Sequence, residues 1–162
     1  MGSSGDGAKA GLVAGIPYGI VEAIIVYLSL VSSKASIETA IAKSIPPNSG
    51  LTANQLYSIT LLIAPAVVVI FGVIGGLILG AIYGWKYEKI PGKTSMVKGL
   101  VLAGILWVLL SVLGGLGNLQ DGAGVYLTQV GTGLGTALLF GFVLAYFYDR
   151  FVAAEKVMMG PT

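Results

Sequence analysis

The sequence predicts an all-α, polytopic membrane protein: a four-helix transmembrane bundle made of two similar helical hairpins. Three observations carry this. Only 10% of the 162 residues are charged and 56% are hydrophobic, against about 25% charged in an ordinary soluble domain. Mean hydropathy is +0.91. Four stretches each supply about the 20 mostly apolar residues that a helix needs to cross a bilayer. So little charge argues against a disordered chain, a coiled coil or a nucleic-acid-binding domain. The whole chain, 1–162, reads as a single integral membrane domain.

The first span lies near 11–31 and contains Pro17. Val31-Ser-Ser33 has the small residues of a signal cleavage site, but the apolar stretch before it is longer than the usual h-region of about 7–15 residues. The span is therefore expected to remain in the protein. A long outer loop, 32–58, follows. Ile37, Ala40, Ile41 and Ile45 have helical spacing there, as a short surface helix or as a plain connector over the bundle. The break Pro46-Pro-Asn-Ser-Gly50 then precedes Thr52-Ala-Asn-Gln55, which has the capping-box pattern. The second span, near 59–83, contains Pro65; a proline inside a helix removes a backbone donor and is expected to kink it. The third span lies near 99–116 and the fourth near 130–148. Between them, 114–124 holds five glycines with Asn118, Gln120 and Asp121, expected as a loop that either gates or simply turns.

An even number of spans puts both termini on one side. Lys9, Lys86, Lys89, Lys93, Lys98, Arg150 and Lys156 fall on that side, seven of the nine basic residues, and Lys34 and Lys43 on the other. The excess of positive charge places both termini and the 86–98 loop in the cytoplasm, and the protein in the plasma membrane. Tyr83, Trp85, Tyr87, Tyr146 and Tyr148 are expected as the inner aromatic belt, with Tyr57 and Tyr126 at the outer interface. Lys86, Lys89, Lys93 and Lys98 suit contact with anionic lipid headgroups, although setting the topology is role enough for them.

Small residues recur every fourth position. Gly72, Gly76, Gly80 and Gly84 match Gly133, Ala137, Gly141 and Ala145 at an offset of 61. Tyr87-Glu-Lys-Ile90 matches Tyr148-Asp-Arg-Phe151, and Gly11-Leu-Val13 matches Gly99-Leu-Val101. Two copies of one hairpin, in one orientation, would be related by an axis along the membrane normal. Residues at i and i+4 stack on one helix face, so the glycines form grooves, as do Gly11, Gly15 and Gly19. Burying Leu gains little in lipid, and close backbone approach through small residues takes over. This glycine-zipper pattern serves packing within the chain or between subunits.

Glu22 is the costly residue. An acid at mid-span is unfavourable by roughly 2.5–3.5 kcal/mol on insertion scales. It follows Tyr18 by four residues and Gly19 by three, so it faces protein; Ser111 and Thr136 are further hydroxyls at comparable depth. Three readings stand: a proton or cation site, a neutral carboxyl tying two helices together, or a salt bridge to another subunit. The chain has no Cys and no His, so zinc, thiolate and His-based catalytic centres have no ligands or bases here. Gly92-Lys-Thr94 fails as a phosphate-binding loop, because its first glycine would be position 87, a tyrosine. No enzyme activity, metal or cofactor is expected.

Gly80-Ala-Ile-Tyr-Gly84, Ile90-Pro-Gly92, Lys98-Gly-Leu100 and Trp107 resemble the middle of the YagU-type small four-span inner-membrane proteins and related prokaryotic families. The resemblance covers about a fifth of the chain. It implies a four-helix plasma-membrane protein and carries no site residue; the absence of His and the glycine-rich second outer loop depart from it. The leading functional expectation is a helix-packing accessory or structural subunit of a larger membrane complex. The alternative is a small oligomeric transporter or channel using Glu22 for proton or cation coupling. Partners are expected in the lipid bilayer, as other membrane subunits or as copies of the chain.

Overall fold

The computed structural model describes residues 3–46 and 50–159. Among them there is no strand. The helices are α1 (Ser4–Ser32), α2 (Lys34–Ser44), α3 (Ala53–Lys86), α4 (Ser95–Trp107) and α5 (Ala123–Met159). A π-helical turn, Val108–Leu113, and a 3₁₀ stretch, Gly114–Asp121, prolong α4. Four segments are long and apolar enough to cross a membrane: Ser4–Ser32, Ala53–Lys89, Ser95–Gln120 and Ala123–Glu155.

Each helix start has a local cause. The capping box expected at Thr52 is present, with Gln55 N donating to Thr52 Oγ1 at 3.2 Å and Thr52 N to Gln55 Oε1 at 2.9 Å. A second one opens α1 seven residues before the expected span. Ser3 Oγ accepts from Asp6 N at 3.1 Å, and Ser3 N donates to Asp6 Oδ2 at 3.1 Å. Thr94 Oγ1 caps α4 by accepting from Val97 N at 3.3 Å. Part of the expected proline-rich break, Pro47, Asn48 and Ser49, lies outside the described residues. The surface helix at 37–45 is α2, which lies against α3 with Ile37, Ile41 and Ile45 half-buried.

The glycine rows of α1 and α3 face each other. A Cβ on Gly76 would fall 2.7 Å from Gly15 Cα, and one on Gly80 2.6 Å from Gly11 Cα. One on Gly72 would come 2.6 Å from Gly19 Cα, and Gly84 meets Gly7 in the same way. At every one of these positions only hydrogen leaves room for the opposite backbone. The α4–α5 pair uses Gly99, which would place a Cβ 2.8 Å from that of Ala145, and Gly141, 2.7 Å from that of Ala103. Gly133 faces Ser111, and Ala137 lines the cavity described below.

The packed interior is small. Its largest fully buried side chains are Tyr83, Tyr148 and Leu144, with Ala10, Ala14 and Phe140 beside them. Most large apolar side chains point outward, Leu62 at 78% exposed and Phe71 at 68% among them, as helices solvated by lipid should.

Three expectations change here. Tyr83 and Tyr148 are core residues and not belt residues: their rings meet edge to face at 5.0 Å. Tyr83 Oη donates to Ser95 O at 2.7 Å. Tyr57 is also buried, donating to Leu30 O at 3.2 Å, so an aromatic near a span end here ties helices together. Lys98 is only 7% exposed and leaves the set of lipid-facing lysines. Its Nζ donates to Tyr87 O at 2.8 Å and sits 3.9 Å from the Tyr87 ring centre, two contacts that hold the ammonium inside. Lys89 and Lys93 remain exposed, and Lys86 lies over the Trp85 ring. Finally, 114–124 is no loop. It continues as 3₁₀ helix to Asp121 and turns at Gly122, whose φ of +116° suits glycine alone. Asn118 Nδ2 donates to Gln129 Oε1 and Tyr126 Oη to Val112 O, which fastens the glycine-rich stretch to α5.

Candidate functional site

Glu22 lies on α1 about 6 Å beyond the helix midpoint, measured from the end that carries the termini. Pro17, one residue before Tyr18, has no N–H, so the carbonyl one turn earlier lacks its helical partner. Tyr18 and Glu22 then fall one above the other on the same face.

That face borders a cavity of about 390 Å³. All four polar residues singled out from the sequence line it: Tyr18 and Glu22 from α1, Ser111 from the π turn and Thr136 from α5. Thr136 is 5% exposed, and its Oγ1 donates to Gly133 O at 3.2 Å within its own helix. Among the described residues the hydroxyls of Tyr18 and Ser111 and the carboxyl of Glu22 have no hydrogen-bond or ion-pair partner. Glu22 is the only charged residue in the wall.

The rest of the wall was not legible in the sequence. Phe71 comes from α3, Trp107 from the end of α4 and Phe140 from α5. Phe140 meets the Tyr18 ring edge to face at 5.7 Å, and Trp107 Nε1 donates to Val130 O at 2.8 Å. Ser111 sits within the π turn, whose bonding runs from i to i+5, and such turns cluster at functional positions. Ser111 fits because position 133 is glycine: a Cβ there would come 3.0 Å from Ser111 Cβ.

The cavity has an open side. α1 packs on both α3 and α5, and α5 on α4, whereas among the described residues no extended contact joins α3 to α4. Phe71 and Leu110, 68% and 65% exposed, stand at the two edges of that cleft. In a bilayer the cleft opens toward lipid chains.

A second polar group lies at the end that carries the termini. Tyr87 Oη and Ser95 Oγ share a hydrogen bond of 2.5 Å, and Ser95 Oγ donates to Asp149 Oδ1. Asp6 is 3% exposed, and the buried Tyr148 Oη has no partner. Sequence reasoning missed this group; the Ser3-x-x-Asp6 and Thr94 caps are the local patterns that mark its place. Among the described residues no three acids, Cys or His converge as a metal site.

No curated protein and no solved structure matches the chain, and no named relative supports a likeness to the YagU-type proteins. The model of the Family of unknown function (DUF6789) matches residues 7–159. A match of that length, over a bundle of four membrane-compatible helices, makes the chain a member of the DUF6789 family.

Proposed function

We propose that the protein is a small, non-enzymatic transporter of the plasma membrane that binds a proton or a cation on Glu22. The observation carrying this is the cavity itself: an unpartnered carboxyl, two unpartnered hydroxyls and a π turn converge between the four spanning helices. Intramembrane acids that face a cavity are the usual seats of proton and ion coupling. The expectation of a helix-packing accessory subunit draws no added support from the glycine zipper of α1 and α3, which packs within one chain. All four spanning helices of one chain line the cavity, and copies of the chain or other membrane subunits remain natural partners in the bilayer.

Both termini are assigned to the cytoplasm on the distribution of Lys and Arg. The two hairpins are read as a duplication, and the packing supports a register one turn from the Gly11–Gly99 match. Gly7 meets Gly80 and Gly84, and Gly99 meets Gly141 and Ala145; Gly19 meets Gly72, and Ser111 meets Gly133. Gly7 therefore corresponds to Gly99, and Gly19 to Ser111.

The test is infrared difference spectroscopy on the reconstituted protein across a pH titration. The wild type should show a carboxyl band that appears and vanishes with pH, and Glu22→Gln should lack it while melting at the same temperature. Identical spectra from the two proteins would overturn the assignment.

A further inference from the structure

We infer that the ligand of this cavity is a lipophilic organic monocation that reaches Glu22 sideways, through the cleft between α3 and α4. The inference rests on Glu22 being the functional acid of the cavity, and it adds the ligand's chemical class and its route.

The wall selects by elimination. A small inorganic cation gives up its hydration only for several oxygen ligands, and this wall offers one carboxyl, three hydroxyls and otherwise aromatic and aliphatic carbon. An anion would face Glu22 with no Lys or Arg in the wall to receive it. A neutral apolar ligand would bury the carboxylate unpaired, which is costly. A cation whose charge is spread over an apolar body meets none of these penalties. It loses little hydration, it pairs with Glu22, and the wall holds four aromatic rings, Tyr18, Phe71, Trp107 and Phe140, whose faces attract positive charge. The volume of about 390 Å³ lies within the range of small-molecule sites.

The route follows from the packing. Such cations gather in the bilayer, and the cavity opens to lipid between Phe71 and Leu110. At the end that carries the termini, Tyr83, Tyr148 and Leu144 fill the bundle, with Tyr83 and Leu144 fully buried. At the lateral cleft, by contrast, Phe71 and Leu110 are 68% and 65% exposed.

The chain contains two Trp residues. Trp85 is 69% exposed and lies outside the cavity, so Trp85→Phe leaves Trp107 as a reporter in the wall. This single-Trp protein, full length in mild detergent, is titrated with tetraphenylphosphonium and, separately, with tetraphenylborate, which has the same shape and the opposite charge. The phosphonium should change Trp107 emission saturably and the borate should not. Adding Glu22→Gln should weaken the phosphonium at least about tenfold, and adding Glu22→Asp, which keeps the charge, by no more than about threefold. Equal binding of both ions, or an unchanged affinity in Glu22→Gln, overturns the inference. So does a lack of phosphonium binding; if the pH-dependent Glu22 band persists in that case, the ligand class falls and the proton-binding reading stands.

Discussion

Replacing Gly76 by Ala tests the α1–α3 seam most directly. The added Cβ would sit 2.7 Å from Gly15 Cα and against the carbonyl oxygen of Gly11. Two carbons need about 3.5–4.0 Å, so the helices must part by about 0.8 Å or more. A gap of about 0.5–1 Å forfeits a quarter to a half of each contact along the seam, and overfilling a packed site costs about 1–3 kcal/mol. Alanine also favours the helix over glycine by about 1 kcal/mol, in the opposite direction. Gly75→Ala removes that ambiguity. It lies in the same helix at the same depth, and a Cβ there meets nothing within 4 Å. The propensity gain is common to both, so the difference between the two variants isolates the contact. Unfolding by SDS titration, followed by circular dichroism, should put Gly76→Ala about 1–3 kcal/mol below Gly75→Ala. A difference under about 0.5 kcal/mol would refute the seam as a backbone-to-backbone contact.

Two further outcomes can be checked with the same protein. Tyr83→Phe removes the bond its hydroxyl donates to the Ser95 carbonyl, which keeps its helical partner within α4, and should destabilise by about 0.5–1.5 kcal/mol, whereas Tyr148→Phe removes a buried hydroxyl without a partner and should be neutral or stabilising; equal losses in thermal melts would show that the hydrogen bond carries no weight. The cysteine-free chain also permits a clean topology assay with an impermeant maleimide. In intact cells Lys43→Cys should be labelled and Lys93→Cys only after lysis, and the reverse pattern would overturn the cytoplasmic assignment of the termini.

What the sequence disclosed follows from which rules are local. Some 20 apolar residues admit few meanings other than a membrane-compatible helix, so all four helices were legible. The glycine rows were legible for the same reason, since an i, i+4 repeat fixes a face before any partner is known. The Thr52 cap needs only four residues. Burial near the span ends was not legible, because an aromatic there looks the same whether it faces lipid or a neighbouring helix. Tyr83 and Tyr148 turn inward because Ser95 and each other are there to meet them. Lys98 reads as one more loop lysine until the Tyr87 carbonyl is placed beside it. The stretch 114–121 has the composition of a turn, and it is held by side chains of the next helix, Gln129 on Asn118 and Tyr126 on the Val112 carbonyl just before it, which its own residues do not reveal. The site divides along the same line. Glu22, Tyr18, Ser111 and Thr136 could be named from depth and chemistry, but the cavity among them depends on two helices that fail to meet, and no single segment encodes that.

The reason they fail to meet lies in the proposed duplication. In its register, α1 corresponds to α4 and α3 to α5, so the α1–α5 contact should have a counterpart between α3 and α4. The first is closed and the second is open. α1 brings Ala10 and Ala14 to its contact, both fully buried against Phe140, Leu144 and their neighbours. At the corresponding positions α4 carries Leu102 and Leu106. Leu102 packs on the core cluster and Leu106 stands in the cavity wall. Each replaces a methyl by an isobutyl group, and side chains of that size hold two helix axes apart where alanines let them close. The acid is equally one-sided, since the residue corresponding to Glu22 is Gly114. One hairpin thus contributes the charge and the other the opening. Under the proposed duplication a symmetric pair of hairpins would pack alike on both sides, and the open side next to Glu22 coincides with these few differences.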